Sequence, residues 1–329
     1  MAVSLALRDD PRVSEARRRE IRAKAEQLGY RPDPMLSSLA AYRNRRRGAT
    51  VRATVAWLNQ WAEPQALRQL REFDAYWRGA AETAEQLGYR LEEFSAGAGI
   101  TPERLETILA ARGVRGLLVP PHPTGLMLPG FSWHAFAVVR FGYSMPEPGA
   151  HVVANDQMGS ARVAFEQAHA RGYRRIGFVT SRRFDRNTRG NFRAGFLAAQ
   201  DTAQLARRAL APFYLDEPAG PEDARRLRAW LKTAAPEAVI TTHPALRRLL
   251  GEIGVRVPAD LAVATTSVLD GNFDAGIDQN CVEIGSVAMR TLASLIHQNE
   301  LGIPRHFRRI LVAGQWVDGA TLPSKIKAR

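Results

Sequence analysis

Cysteine is almost missing from this 329-residue chain: Cys281 stands alone, so no internal disulfide can form. A single thiol suits a reducing compartment and a packing role, and no base stands beside it in sequence to make it reactive. No run of about 18 apolar residues occurs, which excludes a membrane-spanning helix. Arg8-Asp9-Asp10 comes too early for the apolar core of a secretory leader, so the expectation is a cytoplasmic protein. The phosphate loop GxxxxGK[ST], HExxH, GxSxG and CxxC are all lacking, and the seven histidines (122, 134, 151, 169, 243, 297, 306) show no ligand spacing. No enzyme, metal or cofactor is therefore expected.

Lysine is scarce as well, with four residues, yet positive charge is not: 46 Lys and Arg face 33 Asp and Glu, a net +13. A GC-rich gene explains arginine in place of lysine but not where the charge lies. Residues 1–52 hold 13 basic and 6 acidic residues, a local +7 in under a sixth of the chain. That clustering points to a polyanion partner for the N-terminal piece.

The same segment has a helical grammar. Val3–Leu7 reads as the end of a short helix stopped by Asp9-Asp10-Pro11. Ser14 is placed to cap a second, in which Ile21, Ala25 and Leu28 recur at i, i+4 and i+7 before Gly29 stops it. Tyr30-Arg31-Pro32-Asp33-Pro34 is extended, because a residue before proline avoids the helical region. Asp33 then caps a third helix, Met35–Tyr42, followed by Arg43, Arg45, Arg46 and Arg47. That helix is too short to stand alone in water and is expected to order on DNA.

The stretch VSLALRDDPRVSEARRREIRAKAEQLGYRPDPMLSSLA resembles the head of the lac repressor (LacI/GalR) family of transcription regulators. The resemblance implies a partial helix-turn-helix, with Val3–Leu7 as the second half of its recognition helix, the first helix missing, and a hinge helix behind it. It assigns DNA contacts to Ser4, Leu5, Arg8, Ser14, Tyr30, Ser38 and Leu39, with Leu39 the minor-groove wedge. An upstream start codon is the favoured reason for the missing helix. As it stands, the chain is expected to bind DNA weakly and without strong sequence preference.

From Thr50 apolar runs alternate with amphipathic helices. Strands are expected at Ala53–Leu58, Tyr89–Phe94, Gly116–Pro120, Phe136–Phe141, Arg175–Thr180, Ala238–Thr242 and Leu261–Thr265, and helices near 67–87, 102–112, 157–171, 190–201, 221–234, 244–253 and 282–300. This order means parallel sheets with right-handed crossovers, and two Rossmann-like lobes suit it better than a barrel. Segments such as VANDQMGSARVAFEQAHARGYRRIGFVTS and QWVDGATL extend the resemblance to the family's effector domain, which is similar to periplasmic sugar-binding proteins.

The expected organisation is an α/β protein: 1–48 a partial all-α head and hinge helix, and 49–329 a two-lobed effector-binding and dimerisation domain. Lobe one would be about 50–152 with 283–305, and lobe two about 155–280 with the C-terminal strand. The resemblance further implies a homodimer, a palindromic operator and a small-molecule effector, taken to be a carbohydrate.

Effector contacts are placed at Trp61, Phe73, Asp156, Arg186, Thr188, His243 and Ser267. Arg186 is the main anchor, in a loop after a strand, where a guanidinium clamps an oxygen pair. Arg189 is expected to be exposed and uninvolved. Trp61 and Phe73 offer rings to stack or to pack; Asp156 accepts hydroxyl protons or only caps the next helix; His243 donates to a ligand or only shapes its loop. The chain departs from the family at Thr242-His243, where Asn-Asp is usual, and near Ser267, where an Asp is usual. Two other readings stand beside the regulator: a secreted solute-binding protein, which needs a leader and has no use for residues 3–47, and a cytoplasmic ligand sensor without specific DNA binding.

Overall fold

The computed structural model describes residues 14–27, 53–96, 99–122, 128–145, 147–203 and 209–326. It divides into two units, Met1–Val51 and Arg52–Arg329. In the first, the described part is helix α1, Glu15–Gln27, which starts directly after Ser14. Exposed pairs Arg19–Glu15 (3.1 Å) and Arg17–Glu20 (2.8 Å) lie along it at helical spacing, each worth a few tenths of a kcal/mol. Ser4, Leu5, Arg8, Tyr30, Ser38, Leu39 and the expected hinge helix lie outside the described residues.

In the second unit, apolar runs form strands because both faces of each sheet are covered, so continuous Val, Ile, Leu and Ala are favoured over alternation. Lobe one holds β1 (Ala53–Asn59), β2 (Tyr89–Ser95), β3 (Gly116–Val119), β4 (Ala137–Phe141), β5 (His151–Asn155) and β11 (Arg309–Val312), in the order β11-β5-β4-β3-β1-β2 with every pairing parallel. Lobe two holds β6 (Ile176–Ser181), β7 (Phe213–Leu215), β8 (Ala238–Thr241), β9 (Ala262–Thr265), β10 (Gly276–Asp278) and β12 (Gln315–Val317), in the order β12-β10-β9-β8-β6-β7. Only the β10–β12 pairing is antiparallel.

Each sheet is covered on both faces. In lobe one, helices α3 (Arg71–Leu87) and α10 (Cys281–Gln298) bury Tyr76, Ala80, Ile284 and Leu292 against Val55, Trp57, Val139 and Phe141. Gly79 and Gly285 let these helices touch: a β-carbon at Gly285 would sit 2.1 Å from the Tyr76 carbonyl oxygen, and one at Gly79 1.9 Å from that of Val282. On the other face α4 (Pro102–Ala111) inserts Leu105 and Leu109. In lobe two α5 (Gln157–Ala170) and α7 (Asn191–Thr202) bring Phe165, Phe192 and Phe196 onto Ile176 and Phe178. Opposite them α8 (Pro221–Ala234) and α9 (Leu246–Glu252) supply Leu227, Leu246 and Leu250.

The chain crosses between lobes three times, after β5, after β10 and between β11 and β12. The crossings are tied by Asp156 N–H donating to Val312 O (2.8 Å) and Asn280 Nδ2 donating to Ala313 O (2.7 Å).

Three expectations need correction. The helix expected over 67–87 is two, α2 (Pro64–Gln69) and α3, because Leu70 is extended (φ −76, ψ 116). Lobe one takes back β11 at residues 309–312, beyond the 283–305 expected for it. Arg186 lies not in a loop but in a short helix, α6 (Arg182–Asn187), which begins where Ser181 Oγ accepts the Phe184 N–H (3.0 Å).

Candidate functional site

In open parallel sheets the carboxyl ends of strands leave backbone and side-chain polar groups facing a crevice. Here both sheets turn such ends toward one another, and several fully buried polar atoms there have no hydrogen-bond partner among the described residues. They are Gln60 Oε1 after β1, Arg140 Nε at the end of β4 and Asn155 Nδ2 at the end of β5. Buried polar groups are nearly always satisfied, so orphans gathered at strand ends mark a place that a ligand or water completes.

On the lobe-one side, Trp61, Phe73 and His122 form an aromatic wall. The Trp61 ring lies edge-on to Phe73 (6.4 Å between centroids) and to His122 (5.9 Å), and its indole N–H donates to Pro121 O (2.9 Å). Trp61 and Phe73 are thus packed against the lobe-one core and remain partly exposed. Burial lowers the His122 pKa and keeps its ring neutral. Beside the wall, Gln60 Nε2 approaches Met145 Sδ at 4.0 Å, and Arg140 Nη1 donates to the Met145 carbonyl.

Arg140 is 2% exposed and makes no ion pair among the described residues. Burial, together with Arg189 and Arg309 nearby, pushes its pKa down to about 10, so it remains a cation at neutral pH. Tyr143, one turn of chain further on, carries the guanidinium of Arg189 from lobe two over its ring at 5.8 Å. Burial raises the Tyr143 pKa, and Arg309, Arg189 and Arg140 partly offset the rise.

The lobe-two residues divide. Arg186 is exposed, and its guanidinium makes no hydrogen bond or ion pair among the described residues, which leaves its fork available. Arg189 is exposed as expected, but its position over Tyr143 and its left-handed backbone (φ 53) place it at the cleft rather than apart from it. Asp156 caps α5: its Oδ1 accepts the Gly159 N–H at 2.9 Å. The Thr188 hydroxyl donates back to Phe184 O (2.8 Å) within its own turn.

His243 is engaged on both ring nitrogens. Nδ1 accepts the Ala245 N–H (3.2 Å), so Nε2 carries the proton and donates to Asp216 O (3.1 Å). Burial lowers its pKa, and the ring serves its loop.

Ser267 sits beside Glu72 of lobe one. Burial raises the Glu72 pKa to about 7, with Ser267 pulling it down and Asp270 pushing it up. Asp270 reaches across from lobe two: its Oδ1 and Oδ2 accept the N–H groups of Arg71 and Glu72, each at 3.0 Å. Cys281 is 4% exposed in the lobe-one core, and burial drives its thiol pKa upward, in keeping with a packing role. Among the described residues no group of His, Cys, Asp or Glu could hold a metal ion.

Arg140, Tyr143, Glu72 and Asp270 were not singled out from sequence, and Arg189 was expected to be uninvolved. A lone charge inside the apolar run FAVVRF was the available signal for Arg140.

Residues 165–322 match the family model for a periplasmic binding protein-like domain. The chain is similar to the solved transcriptional regulator CelR in complex with cellobiose, at 22% identity and TM-score 0.64, over 97% of this chain and 94% of that one. It is similar to a LacI transcriptional regulator from a Rhodococcus species (18%, 0.62; 82% of this chain, 98% of that one). A third likeness is to a LacI family regulator from Enterococcus faecium with bound ribose (16%, 0.59; 83% and 100%). No curated protein matches the chain. The two-lobed fold implied by the resemblance to the lac repressor family is therefore present.

Proposed function

We propose that this chain, which has the two-lobed fold of LacI-type regulators, is a DNA-binding transcriptional regulator controlled by a small molecule held between its lobes. The carrying observation is the set of buried polar atoms without partners among the described residues at the strand ends of lobe one, in a fold that relatives use around cellobiose and ribose. The +7 carried by residues 1–52, and a likeness to CelR long enough to reach into that segment, support a DNA-binding role for it. A homodimer and a two-fold symmetric operator follow from the same reading. Helix α1 presents Arg17 and Arg19 to solvent, suited to phosphate contacts.

Control by ligand is a matter of differential affinity. A molecule touching both lobes binds their closed arrangement more tightly than an open one, and shifts whatever the N-terminal segment does on DNA. Arg186, free at the mouth of lobe two, is the proposed anchor for an oxygen pair, with Trp61 and Phe73 as the apolar wall. A charge-assisted pair of this kind contributes about 1.5–3 kcal/mol, so Arg186→Ala weakens ligand binding roughly ten- to over a hundredfold.

The test for DNA is titration of labelled palindromic and scrambled duplexes at two salt concentrations, with the chain and with a variant carrying alanine at Arg43, Arg45, Arg46 and Arg47. Salt-sensitive binding that weakens in the variant supports the reading. Equal, salt-insensitive affinities refute it.

A further inference from the structure

We propose that the molecule bound in the cleft is an anion, and that Arg140 of lobe one and Arg189 of lobe two hold its carboxylate or phosphate group over the ring of Tyr143. This rests on the cleft being the ligand site and narrows the ligand to sugar acids and sugar phosphates.

The first observation is that Arg140 is 2% exposed and charged, and that among the described residues its hydrogen-bond partner is one carbonyl, that of Met145, while its Nε has none. A guanidinium taken out of water without a counter-charge is expensive, and proteins keep one where a partner completes it. Among the described residues no acid forms an ion pair with it. The charged groups that act on Arg140 are Arg189 and Arg309, of like sign, and Glu147, an exposed acid that makes no ion pair with it. Asp156, which acts on the neighbouring Tyr143, has one carboxylate oxygen committed to capping α5.

The second observation is convergence. Arg140 and Arg189 come from different lobes, yet Tyr143 lies beside the first in sequence and under the second at 5.8 Å. Two guanidiniums that act on each other, one of them over the Tyr143 ring and both acting on its hydroxyl, form a fork for a compact oxyanion, which accepts paired N–H groups in planar geometry. An anion there bridges the lobes, so it favours their approach. Gln60 Oε1 and Asn155 Nδ2, without partners among the described residues at the ends of β1 and β5 in the same sheet, offer an acceptor and a donor for hydroxyls on the rest of the molecule. Trp61 and Phe73 offer an apolar face. A neutral sugar would satisfy the hydroxyl-binding groups and leave the buried charge of Arg140 without a partner.

The experiment follows thermal midpoints and calorimetric heats of the full chain with inorganic phosphate, D-glucuronate, glucose 6-phosphate and D-glucose, at constant ionic strength. The parent, Arg140→Met and Arg189→Met are compared. At least one acidic probe raises the parent midpoint where D-glucose at the same concentration does not. Whether glucuronate or the phosphates act decides between carboxylate and phosphate.

Arg189→Met, a surface change, weakens the acidic probe roughly tenfold or more and leaves the midpoint without probe unaltered. Arg140→Met loses the response and, relieved of a buried charge, melts no lower than the parent without probe. The proposal is overturned if no acidic probe acts, or if a probe acts equally on the parent and Arg189→Met. Should D-glucose stabilise the parent and Arg140→Met alike, the cleft remains a sugar site and the anion assignment alone falls.

Discussion

Asp270 is the side chain whose removal most directly changes how the two lobes meet. Its carboxylate, on the loop after β9, accepts the first two N–H groups of α3 at 3.0 Å each. Helix α3 spans 17 residues and its own N-terminal flank, Leu70, offers no capping side chain, so Asp270 is a cap supplied from the other lobe. Losing a good N-cap costs about 0.5–2 kcal/mol, and a negative charge at a helix N-terminus adds about 0.3–1 kcal/mol. Water replaces part of this at the half-exposed Arg71 end, which leaves about 1–2 kcal/mol for the lobe-to-lobe contact, or a factor of roughly 5–30 in its population.

Asp270→Ala removes both acceptors, while Asp270→Asn keeps one and should have roughly half the effect. Cysteines introduced at exposed Gln86 of lobe one and Ala229 of lobe two can be labelled selectively, since Cys281 is buried. Paired spin or dye labels there report the interlobe distance distribution. The expected result is a second, longer-distance population in Asp270→Ala and a smaller one in Asp270→Asn. Superimposable distributions in all three proteins would refute the cross-lobe cap as a determinant of closure.

Other consequences follow from neighbouring groups. Glu72 has a folded pKa of about 7 against an ordinary 4.5, so the fold binds its proton more tightly than the unfolded chain does. Stability at this group is therefore gained as pH falls from above 7 toward 4.5 and lost as it rises. Denaturant titrations from pH 5 to 8 should show that slope in the parent and a flatter one in Glu72→Gln. Gly285→Ala forces a methyl into the Tyr76 carbonyl and should cost about 1–3 kcal/mol or more in a melt. Gly251→Ala, in α9 with open space around it, should be neutral or stabilising by up to about 1 kcal/mol. Equal midpoints for the two glycine variants would contradict the close α3–α10 packing.

How much of this was legible depended on whether the deciding contact is local. Strands such as ATVAWLN and IGFVTS carry long apolar runs because helices cover both faces, and their sequences announce it. β7, β10 and β12 have three residues each and β11 four, half-exposed, too short to carry a period. β5 escaped notice because His151 and Asn155 bracket only three apolar residues.

The break at Leu70 is invisible in REFDAYW because its cap comes from Asp270, 199 residues beyond Arg71. In the cleft, Trp61, Phe73 and Arg186 were proposed from the resemblance and their places after strands or at a helix start, while His122 beside them was not. His243 looked equally suited to a ligand until its two nitrogens were seen committed to Ala245 and Asp216. Arg140 was hidden for the opposite reason: between Val139 and Phe141 it counts as one polar break in a strand, and only its burial reveals the missing counter-charge.

The central claim is that occupancy of the cleft changes affinity for DNA. A random duplex pool selected on the full chain supplies the DNA, and the probe that most raises the thermal midpoint supplies the ligand. Fluorescence anisotropy of the selected duplex, titrated with protein at fixed salt with and without saturating probe, reads the coupling. The expected isotherms are displaced by a coupling of about 1–3 kcal/mol, roughly 5- to 150-fold, in either direction. Identical isotherms for a ligand shown by calorimetry to be bound would contradict it.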